Sequence, residues 1–374
     1  MVKKTVLVCL VSEQTIPNVQ FIKWYFKNNP QNMKILFLST KDMEKKEKSK
    51  HIQDGLVNID KFLEYDIITT NENDITITYN ALEKYFSENR FNKIIVNITG
   101  GTKLMSLATY QFFVDKKNTE IYYQPIGKSL QQLYPESKKF DMFEILSLEE
   151  FLNAHGINFN FNNSCVKDWN FNKTVFERIV KDNHFEIKKL VILQNNSYFK
   201  NVFKRKDFLN FLEIPDEKFS NIEELSISKE DVCSLFKLFD FNPEKIELAH
   251  LRYITGGWFE EYVYQKICNE NSNVDIKNVA LNVNISKGND KNELDIIYLD
   301  KDNKLHVIEC KSFVDGKEGQ KVLNDALYKL QAIIKTKFGL FVKHHLYTKS
   351  IIEKETPLTR AMEFGIDIKD GNEI

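Results

Sequence analysis

Residues Glu293–Ser312, with the sequence ELDIIYLDKDNKLHVIECKS, decide the fold of the C-terminal third of the chain. Two apolar runs rich in β-branched residues, Leu294–Leu299 and Leu305–Lys311, flank the polar residues 300–304. Short apolar runs on either side of an Asp- and Asn-containing segment are typical of two strands joined by a turn. The sequence therefore predicts a pair of adjacent strands here.

Two acids and a lysine lie at chemically useful positions on these strands. Because successive side chains of a strand alternate between its faces, Glu309 and Lys311 project from the same face. Asp295, on the neighbouring strand, can be brought opposite them. Carboxylate oxygens suit Mg²⁺ or Mn²⁺, and such an ion with a lysine is what metal-assisted phosphodiester cleavage requires. A solvated surface pair of Glu309 and Lys311 is the alternative interpretation.

A third acid precedes this strand pair on a predicted helix, Gly256–Glu270. The apolar positions that define its inward face are Phe259, Tyr262, Val263 and Ile267. At about 100° per residue, Glu260 falls at the border of this face and Glu261 points away from it. Glu260 is therefore the candidate active-site glutamate of the helix.

The first 150 residues have a different pattern, in which apolar strands alternate with amphipathic helices. The predicted strands are Thr5–Val11, Lys34–Thr40, Tyr65–Thr69, Lys93–Thr99 and Ile121–Ile126, and the predicted helices are Ile16–Asn28, Asn80–Asn89 and Leu104–Lys116. This alternation predicts a doubly wound, parallel α/β sheet, in which ligands bind at the carboxyl ends of the strands. Small polar residues follow three of those ends, at Ser12, Thr40 and Thr99–Lys103.

The segment Thr99-Gly100-Gly101-Thr102-Lys103 is the candidate anion site of this sheet. Glycines let a backbone approach an anion closely, and the amides at a helix start point towards it. Thr102 can cap the following helix, and Lys103 adds a positive charge. The pattern matches neither the Walker A loop nor the G-x-G-x-x-G motif. A tight turn with a capping threonine and no ligand is the alternative interpretation.

Length and composition set the frame for these motifs. The 374 residues carry a net charge of −1, so the protein is not generally basic, and two domains are expected from the length. Its five cysteines are scattered, with no C-x-x-C pair, and no segment is apolar enough to span a membrane, which favours a cytoplasmic protein. The expected division is 1–150, a helical connector at 151–245, and 246–374.

Further elements are predicted along the rest of the chain. The connector should contain the helices Lys173–Asn183, Lys206–Leu212 and Lys229–Phe239, and the C-terminal part a strand at Val279–Ile285, a helix at Lys321–Lys335 and a strand at Phe338–Lys343. The connector is locally acidic, whereas residues 326–352 contain five lysines and no acid. The acid-free stretch could receive a polyanion beside the predicted catalytic strand.

Both motifs resemble those of a known family. The segment NITGGTKLMSLATYQFF, Asn97–Phe113, resembles the ligand motif of CARF domains, the CRISPR-associated Rossmann folds. The segment GGWFEEYVY, Gly256–Tyr264, together with Glu293–Ser312, resembles a PD-(D/E)xK, restriction-endonuclease-like α/β/α domain. Their order is similar to that of CARF-fused ancillary nucleases of type III CRISPR systems. The proline of the nuclease motif is absent before Asp295, where Glu293-Leu294 stand instead.

The resemblance implies an allosteric endonuclease. It implies that a cyclic oligoadenylate, cyclic tetra-adenylate above all, binds across a homodimer of the first domain and switches on Mn²⁺- or Mg²⁺-dependent cleavage of DNA, RNA or both. The ligand contacts that it implies are Ser12, Thr40, Thr99, Gly100, Gly101, Thr102 and Lys103, with Met105 lining the site. The nuclease roles fall on Glu260, Asp295, Glu309 and Lys311, and the backbone carbonyl of Cys310 completes the metal shell with Asp295 and Glu309.

Two other functions are compatible with the sequence. The chain could be a non-catalytic, ligand-sensing transcription regulator whose connector reads DNA, although the acidic balance of the connector disfavours phosphate contacts. It could also be a ligand-independent repair nuclease whose first domain serves only for dimerisation. The acid–acid–lysine set favours the allosteric nuclease over the regulator.

Overall fold

The computed structural model describes residues 5–125, 129–141, 144–182, 197–205, 207–220, 228–312, 314, 316–333, 342–350, 352, 355–371 and 373–374. The chain divides into two units. The first comprises Met1–Phe159 and Ile285–Lys291, and the second comprises Asn160–Asn284 and Asn292–Ile374. Among the described helices, none has the length and apolar character that crossing a membrane requires.

The first unit is built on a seven-stranded sheet with the order β3-β2-β1-β4-β5-β6-β7. Its strands are β1 Thr5–Leu10, β2 Met33–Thr40, β3 Leu63–Thr70, β4 Lys93–Asn97, β5 Thr119–Tyr123, β6 Ser129–Tyr134 and β7 Lys138–Asp141. Neighbouring strands from β3 to β5 pair in parallel, and β6 and β7 add an antiparallel edge. Every residue of β1 is buried because strands flank it on both sides.

Six helices of this unit lie among the described residues. They are α1 Ile16–Asn28, α2 Lys41–Lys45, α3 Lys48–Asp54, α4 Ile75–Glu88, α5 Lys103–Phe113 and α6 Leu148–Ala154. The strand order reverses at β1, which lies between β2 and β4. In doubly wound sheets this reversal opens a crevice at the carboxyl ends of the two central strands. The carboxyl ends of β1 and β4 lie side by side at this crevice.

The second unit begins with helices from the predicted connector. They are α7 Trp169–Asp182, α8 Ser197–Phe203, α9 Glu217–Ser220 and α10 Lys229–Leu238. Aromatic side chains of this region, among them Phe176 and Phe236, share one hydrophobic core with Trp258 and Ile308. The connector therefore packs in the same unit as the C-terminal part of the chain.

One predicted helix of the connector is wrong. Of Lys206–Leu212, residue 206 lies outside the described residues, and the remainder is not helical except for a short 3₁₀ turn that begins at Phe211. Leu209 pairs instead with Ile246 in an isolated antiparallel bridge. The side chain of Asn210 accepts a hydrogen bond from the Leu212 amide at 3.0 Å, which favours a turn over a continuing helix.

The second sheet has the order β13-β12-β11-β10-β9-β8, and all of its strands except β8 come from the C-terminal part of the chain. Its strands are β8 Asn158–Phe161, β9 Val274–Lys287, β10 Asp290–Asp300, β11 Leu305–Lys311, β12 Val342–Thr348 and β13 Ile366–Lys369. The helices are α11 Leu248–Arg252, α12 Trp258–Glu270, α13 Gly316–Ile333 and α14 Glu355–Phe364, with a π turn at Tyr253–Gly257 before α12. Of the predicted strand Phe338–Lys343, residues 338–341 lie outside the described residues.

The predicted fold class is confirmed. Both units combine α-helices with a β-sheet, and the first sheet is parallel over its five N-terminal strands. The strand β11 has the predicted bounds, Leu305–Lys311, whereas β9 and β10 extend beyond theirs at both ends. The antiparallel edge of the first sheet was not predicted, because its short polar strands carry little of the apolar pattern.

Candidate functional site

The strands β10 and β11 bring Asp295 and Glu309 together. The two strands are antiparallel, with Ile296 opposite Ile308, and continuing this register places Asp295 opposite Glu309. The amide of Cys310 donates a hydrogen bond of 2.7 Å to Oδ2 of Asp295. This contact fixes one carboxylate against the backbone of the strand that carries the other.

Glu309 is held by two lysines. Its Oε1 atom lies 2.6 Å from Nζ of Lys311 on the same strand, and its Oε2 atom lies 2.7 Å from Nζ of Lys329 on α13. The Glu309 side chain is only 3% exposed, so these ion pairs offset the cost of burying its charge. Nζ of Lys311 also lies 4.0 Å from Oδ2 of Asp295. Lys311 thus sits between both carboxylates.

Glu260 approaches the same group from α12. Burial, together with the charge of Asp295, raises the pKa of Glu260 to about 8, and the charge of Lys311 partly offsets this shift. Burial also raises the pKa of Asp295 to about 6, together with the charge of Glu309. For Lys311, burial alone would lower the pKa, but the charges of Asp295 and Glu309 outweigh it and the pKa is raised. The three carboxyl groups and the lysine therefore form one electrostatic cluster.

The neighbouring Glu261 was predicted to point away from the inward face of the helix, and that prediction is wrong. Its side chain is buried and accepts hydrogen bonds from the amides of Val166 and Lys167, from the hydroxyl of Tyr253 and from Nδ2 of Asn172. These donors come from the connector and from the π turn before α12. The periodicity of one helix could not indicate them, because they belong to distant parts of the chain.

Cys310 contributes its backbone rather than its thiol. Its side chain is 5% exposed and belongs to the hydrophobic core, and burial raises the pKa of the thiol. The carbonyl oxygen of Cys310 accepts a hydrogen bond of 3.2 Å from Nζ of Lys311. The carbonyl therefore faces the same side as the charged cluster.

The donor set fits a hard divalent cation that keeps much of its water. No group of three or more His, Cys, Asp or Glu side chains that could hold a metal ion occurs within the described part of the chain. Asp295 and Glu309 nevertheless lie opposite each other, with the Cys310 carbonyl beside them. Mg²⁺ usually binds through one or two carboxylates and retains several waters, which matches this smaller set.

The turn at residues 99–103 lies at the carboxyl end of β4, in the crevice between β1 and β4. A side chain at Gly100 would place its Cβ atom 2.1 Å from the carbonyl oxygen of Leu10, at the end of β1. Gly101 has a φ of +71°, which favours glycine. Only glycine therefore lets the turn pass this close to β1.

Hydrogen bonds within the protein define the shape of this turn. The Thr99 hydroxyl donates to Oδ1 of Asn97 at 2.5 Å and accepts from the Gln124 amide at 2.9 Å. Thr102 caps α5 by accepting from the amide of Met105 at 3.3 Å, and its hydroxyl donates to the carbonyl of Glu72 at 2.9 Å. The predicted capping role of Thr102 is thus present in the structure.

The other predicted ligand contacts have different surroundings. Ser12 follows β1, and its hydroxyl donates to the carbonyl of Gln14 at 3.2 Å. Thr40 is 6% exposed and caps α2 by accepting from the Met43 amide at 3.3 Å. Lys103 is exposed at the start of α5, whereas Met105 is 1% exposed and packs in the core beneath the turn. Of the eight residues, Lys103 alone carries a charge.

Two buried asparagines that the sequence reasoning missed support the turn. Asn97 donates from Nδ2 to Oδ1 of Asn18 at 2.9 Å, and Asn18 donates to the carbonyl of Leu10 at 2.8 Å. Both side chains are at most 1% exposed. This chain of hydrogen bonds joins the ends of β1 and β4 across α1. A polar residue at the end of an otherwise apolar strand was the available signal for Asn97.

Comparison with family models assigns nearly the whole chain. Residues 6–151 match the Card1 CARF domain, residues 162–248 match the Card1 hinge domain, and residues 247–374 match the Card1-like endonuclease domain. The chain belongs to the Card1 family. The expected kinship with CARF-fused nucleases is therefore confirmed, and the C-terminal cluster lies in an endonuclease domain. Among the curated proteins, none matches the sequence.

Two solved structures share the fold of this Card1-family chain. Protein VC1899 from Vibrio cholerae has a TM-score of 0.73 and 19% identity over 99% of this chain and 94% of its own. Can2 from Sulfobacillus thermosulfidooxidans, solved in complex with cyclic tetra-adenylate, has a TM-score of 0.66 and 21% identity over 98% and 94%. At these identities the likeness shows a common fold along the whole chain.

Proposed function

We propose that this Card1-family endonuclease cleaves phosphodiester bonds of DNA, RNA or both with the help of Mn²⁺ or Mg²⁺, and that cyclic tetra-adenylate bound to the CARF domain activates it. The observation that carries the proposal is the buried set of Asp295, Glu309 and Lys311 on two adjacent strands. Acids and a lysine held this close suit a reaction in which negative charge develops on a phosphate. The endonuclease family of this domain supports the same reaction.

In this proposal Asp295, Glu309 and the carbonyl of Cys310 hold the metal ion. The ion, when bound, makes water a better nucleophile and neutralises charge on the phosphate. Lys311 orients the attacking water or donates to the phosphate oxygen from its position between the two carboxylates. Glu260, whose pKa is raised by burial and by the charge of Asp295, adds a third carboxyl group to the same cluster.

The turn at residues 99–103 is the proposed ligand site of the CARF domain. The complex of Can2 with cyclic tetra-adenylate supports this ligand class, since that protein shares the fold along 98% of this chain. The close approach of Gly100 to β1 holds the turn at the carboxyl ends of β1 and β4, where doubly wound sheets bind their ligands. Ser12, Thr40, Thr99 and Thr102 provide hydroxyl groups at the same edge, and Lys103 provides a positive charge.

A homodimer of the CARF domain is part of the proposal. Leu104 and Leu107 of α5 are 38% and 60% exposed, and Ile75 and Ile77 of α4 are 37% and 45% exposed. These two helices pack against each other, so the four side chains can form one apolar surface beside the turn. A second copy of the chain covering it would present two turns to one cyclic ligand.

The five unpaired cysteines fit a cytoplasmic protein.

The proposal is tested by incubating the full chain with plasmid DNA, single-stranded DNA and single-stranded RNA in Mn²⁺, with cyclic tetra-adenylate present. We expect cleavage of at least one substrate, and loss of that cleavage in Glu309→Ala and Lys311→Ala. Addition of EDTA should stop the reaction, and renewed Mn²⁺ should restore it. Equal cleavage by wild type and both variants would exclude this site as the nuclease centre.

A further inference from the structure

Lys329 is a second lysine at the nuclease site, and neither the family match nor the nuclease motif assigns it a role. It comes from α13 rather than from the strand that carries Glu309 and Lys311. Its Nζ atom lies 2.7 Å from Oε2 of Glu309, whereas Lys311 contacts the other carboxylate oxygen, Oε1. The two lysines thus approach one carboxylate from two different elements.

Lys311 and Lys329 differ in the carboxylates that they contact. Lys311 lies between two acids, at 2.6 Å from Glu309 and 4.0 Å from Asp295, so its charge is shared between them. Lys329 adds a further positive charge to a carboxylate that Lys311 already neutralises. If Glu309 turns towards a metal ion, the ammonium group of Lys329 is the one that can move to another anion.

Exposure and position favour a contact with substrate. The side chain of Lys329 is 37% exposed, compared with 27% for Lys311 and 3% for Glu309. Its helix is anchored by buried residues before and after it, Leu327 and Leu330, so the base of the side chain is fixed while its end reaches solvent. Lys329 also lies in the acid-free stretch 326–352, which contains five lysines.

We propose that Lys329 is a phosphate-binding lysine of the nuclease site: it pairs with Glu309 when no substrate is bound and contacts a phosphodiester oxygen of the bound nucleic acid. This inference rests on the proposed function of the endonuclease domain. It adds a substrate contact from α13 to those supplied by β10 and β11. A lysine that binds phosphate contributes to affinity for any sequence and makes that affinity depend on salt.

The test measures binding without cleavage. The full chain with cyclic tetra-adenylate, in Ca²⁺ instead of Mn²⁺ to prevent cleavage, is titrated against fluorescein-labelled single-stranded DNA and against RNA of the same sequence over a range of salt concentrations. We expect Lys329→Ala to bind about tenfold more weakly, as for the loss of one charged hydrogen bond. The slope of log affinity against log salt should become shallower by about 0.7, as for one lost contact to a single strand.

Two further variants separate charge from structure. Lys321→Ala removes an exposed lysine from the same helix and should leave affinity and salt slope unchanged. Lys329→Arg keeps the charge and should retain the wild-type slope. A purely structural role for Lys329 predicts instead a wild-type salt slope with a lowered melting temperature. If Lys329 binds the substrate, Lys329→Ala in Mn²⁺ should raise KM by a larger factor than it lowers kcat.

A wild-type affinity and slope in Lys329→Ala would overturn the inference, as would an absence of binding to both nucleic acids in the wild type. Failure of the proposed function is a separate result. In that case the wild type binds nucleic acid and loses affinity in Lys329→Ala, but does not cleave in Mn²⁺.

Discussion

The turn at residues 99–103 follows a strand of the first sheet, and the charged cluster lies on β10 and β11 of the second sheet. Different interactions determine the structure of these two sites. In the turn, neutral groups are satisfied by hydrogen bonds, as between Thr99 and Asn97, and glycine permits the contact with β1. In the cluster, burial and the mutual repulsion of the carboxyl groups raise the pKa values of Glu260 and Asp295 to about 8 and about 6. We therefore expect the turn to lose ligand binding when its shape changes, and the cluster to lose cleavage activity when its charge changes.

The largest effect is expected from a change of charge without a change of shape. Glu309→Gln keeps the size of the side chain but removes the negative charge that faces Lys311 and Lys329. We expect cleavage to fall by about 10²–10³-fold, the range for loss of one electrostatic group at an active site. Turnover in Mn²⁺ with saturating cyclic tetra-adenylate measures this, and thermal melting checks the fold. Wild-type turnover would show that the charge of Glu309 is dispensable.

The converse change alters shape without charge. In Gly100→Ala the added Cβ atom would lie 2.1 Å from the Leu10 carbonyl oxygen, so the turn must move away from β1. Such overpacking costs about 1–3 kcal/mol of stability, and we expect binding of cyclic tetra-adenylate to be lost. Isothermal titration calorimetry measures the binding. Unchanged affinity would mean that the ligand does not depend on this close approach.

Thr102 allows shape and hydrogen bonding to be separated within the turn. Thr102→Ala removes the cap of α5 and the contact to Glu72, at a cost of about 1 kcal/mol. We expect activation to require more cyclic tetra-adenylate, while Thr102→Ser, which keeps the hydroxyl, should behave as wild type. Lys103→Ala should weaken activation without lowering the melting temperature. Activation curves identical to wild type in Thr102→Ala and Lys103→Ala would remove the turn from the ligand site.

The smallest effect concerns the dependence of stability on pH. The pKa of Glu260 is raised from 4.5 to about 8 by burial and by Asp295. Between these values the folded state holds a proton that the unfolded state has released, so this group lowers the free energy of unfolding as pH rises. Glu260→Gln should lessen that decline. Urea unfolding at several pH values, in EDTA, measures it, and parallel curves for the two proteins would contradict the assigned pKa shift.

The sequence predicted the elements whose pattern is local. Residues near one another in the chain were enough to predict the strand β11 and both ends of the helix α1. They were also enough to select the acids Asp295 and Glu309. Contacts between distant segments escaped prediction. Glu261 is buried because Val166, Lys167 and Asn172 donate to it. The support of the turn by Asn18 and Asn97 also depends on tertiary contacts.

Coupling between the turn and the nuclease cluster stays a prediction for a similar reason. The acids and glycines could be chosen from motifs, but coupling between the sites is a free energy that no motif contains. A shared family and a shared fold assign a CARF domain and an endonuclease domain to one chain. They leave the coupling between the two domains to experiment.

The most direct test is the initial rate of nucleic acid cleavage in Mn²⁺ as cyclic tetra-adenylate is added to the full chain. We predict that the rate rises and saturates with the ligand in the wild type, rises only at higher ligand concentrations in Lys103→Ala, and stays near background in Glu309→Gln. A wild-type rate that is the same with and without the ligand would contradict the account.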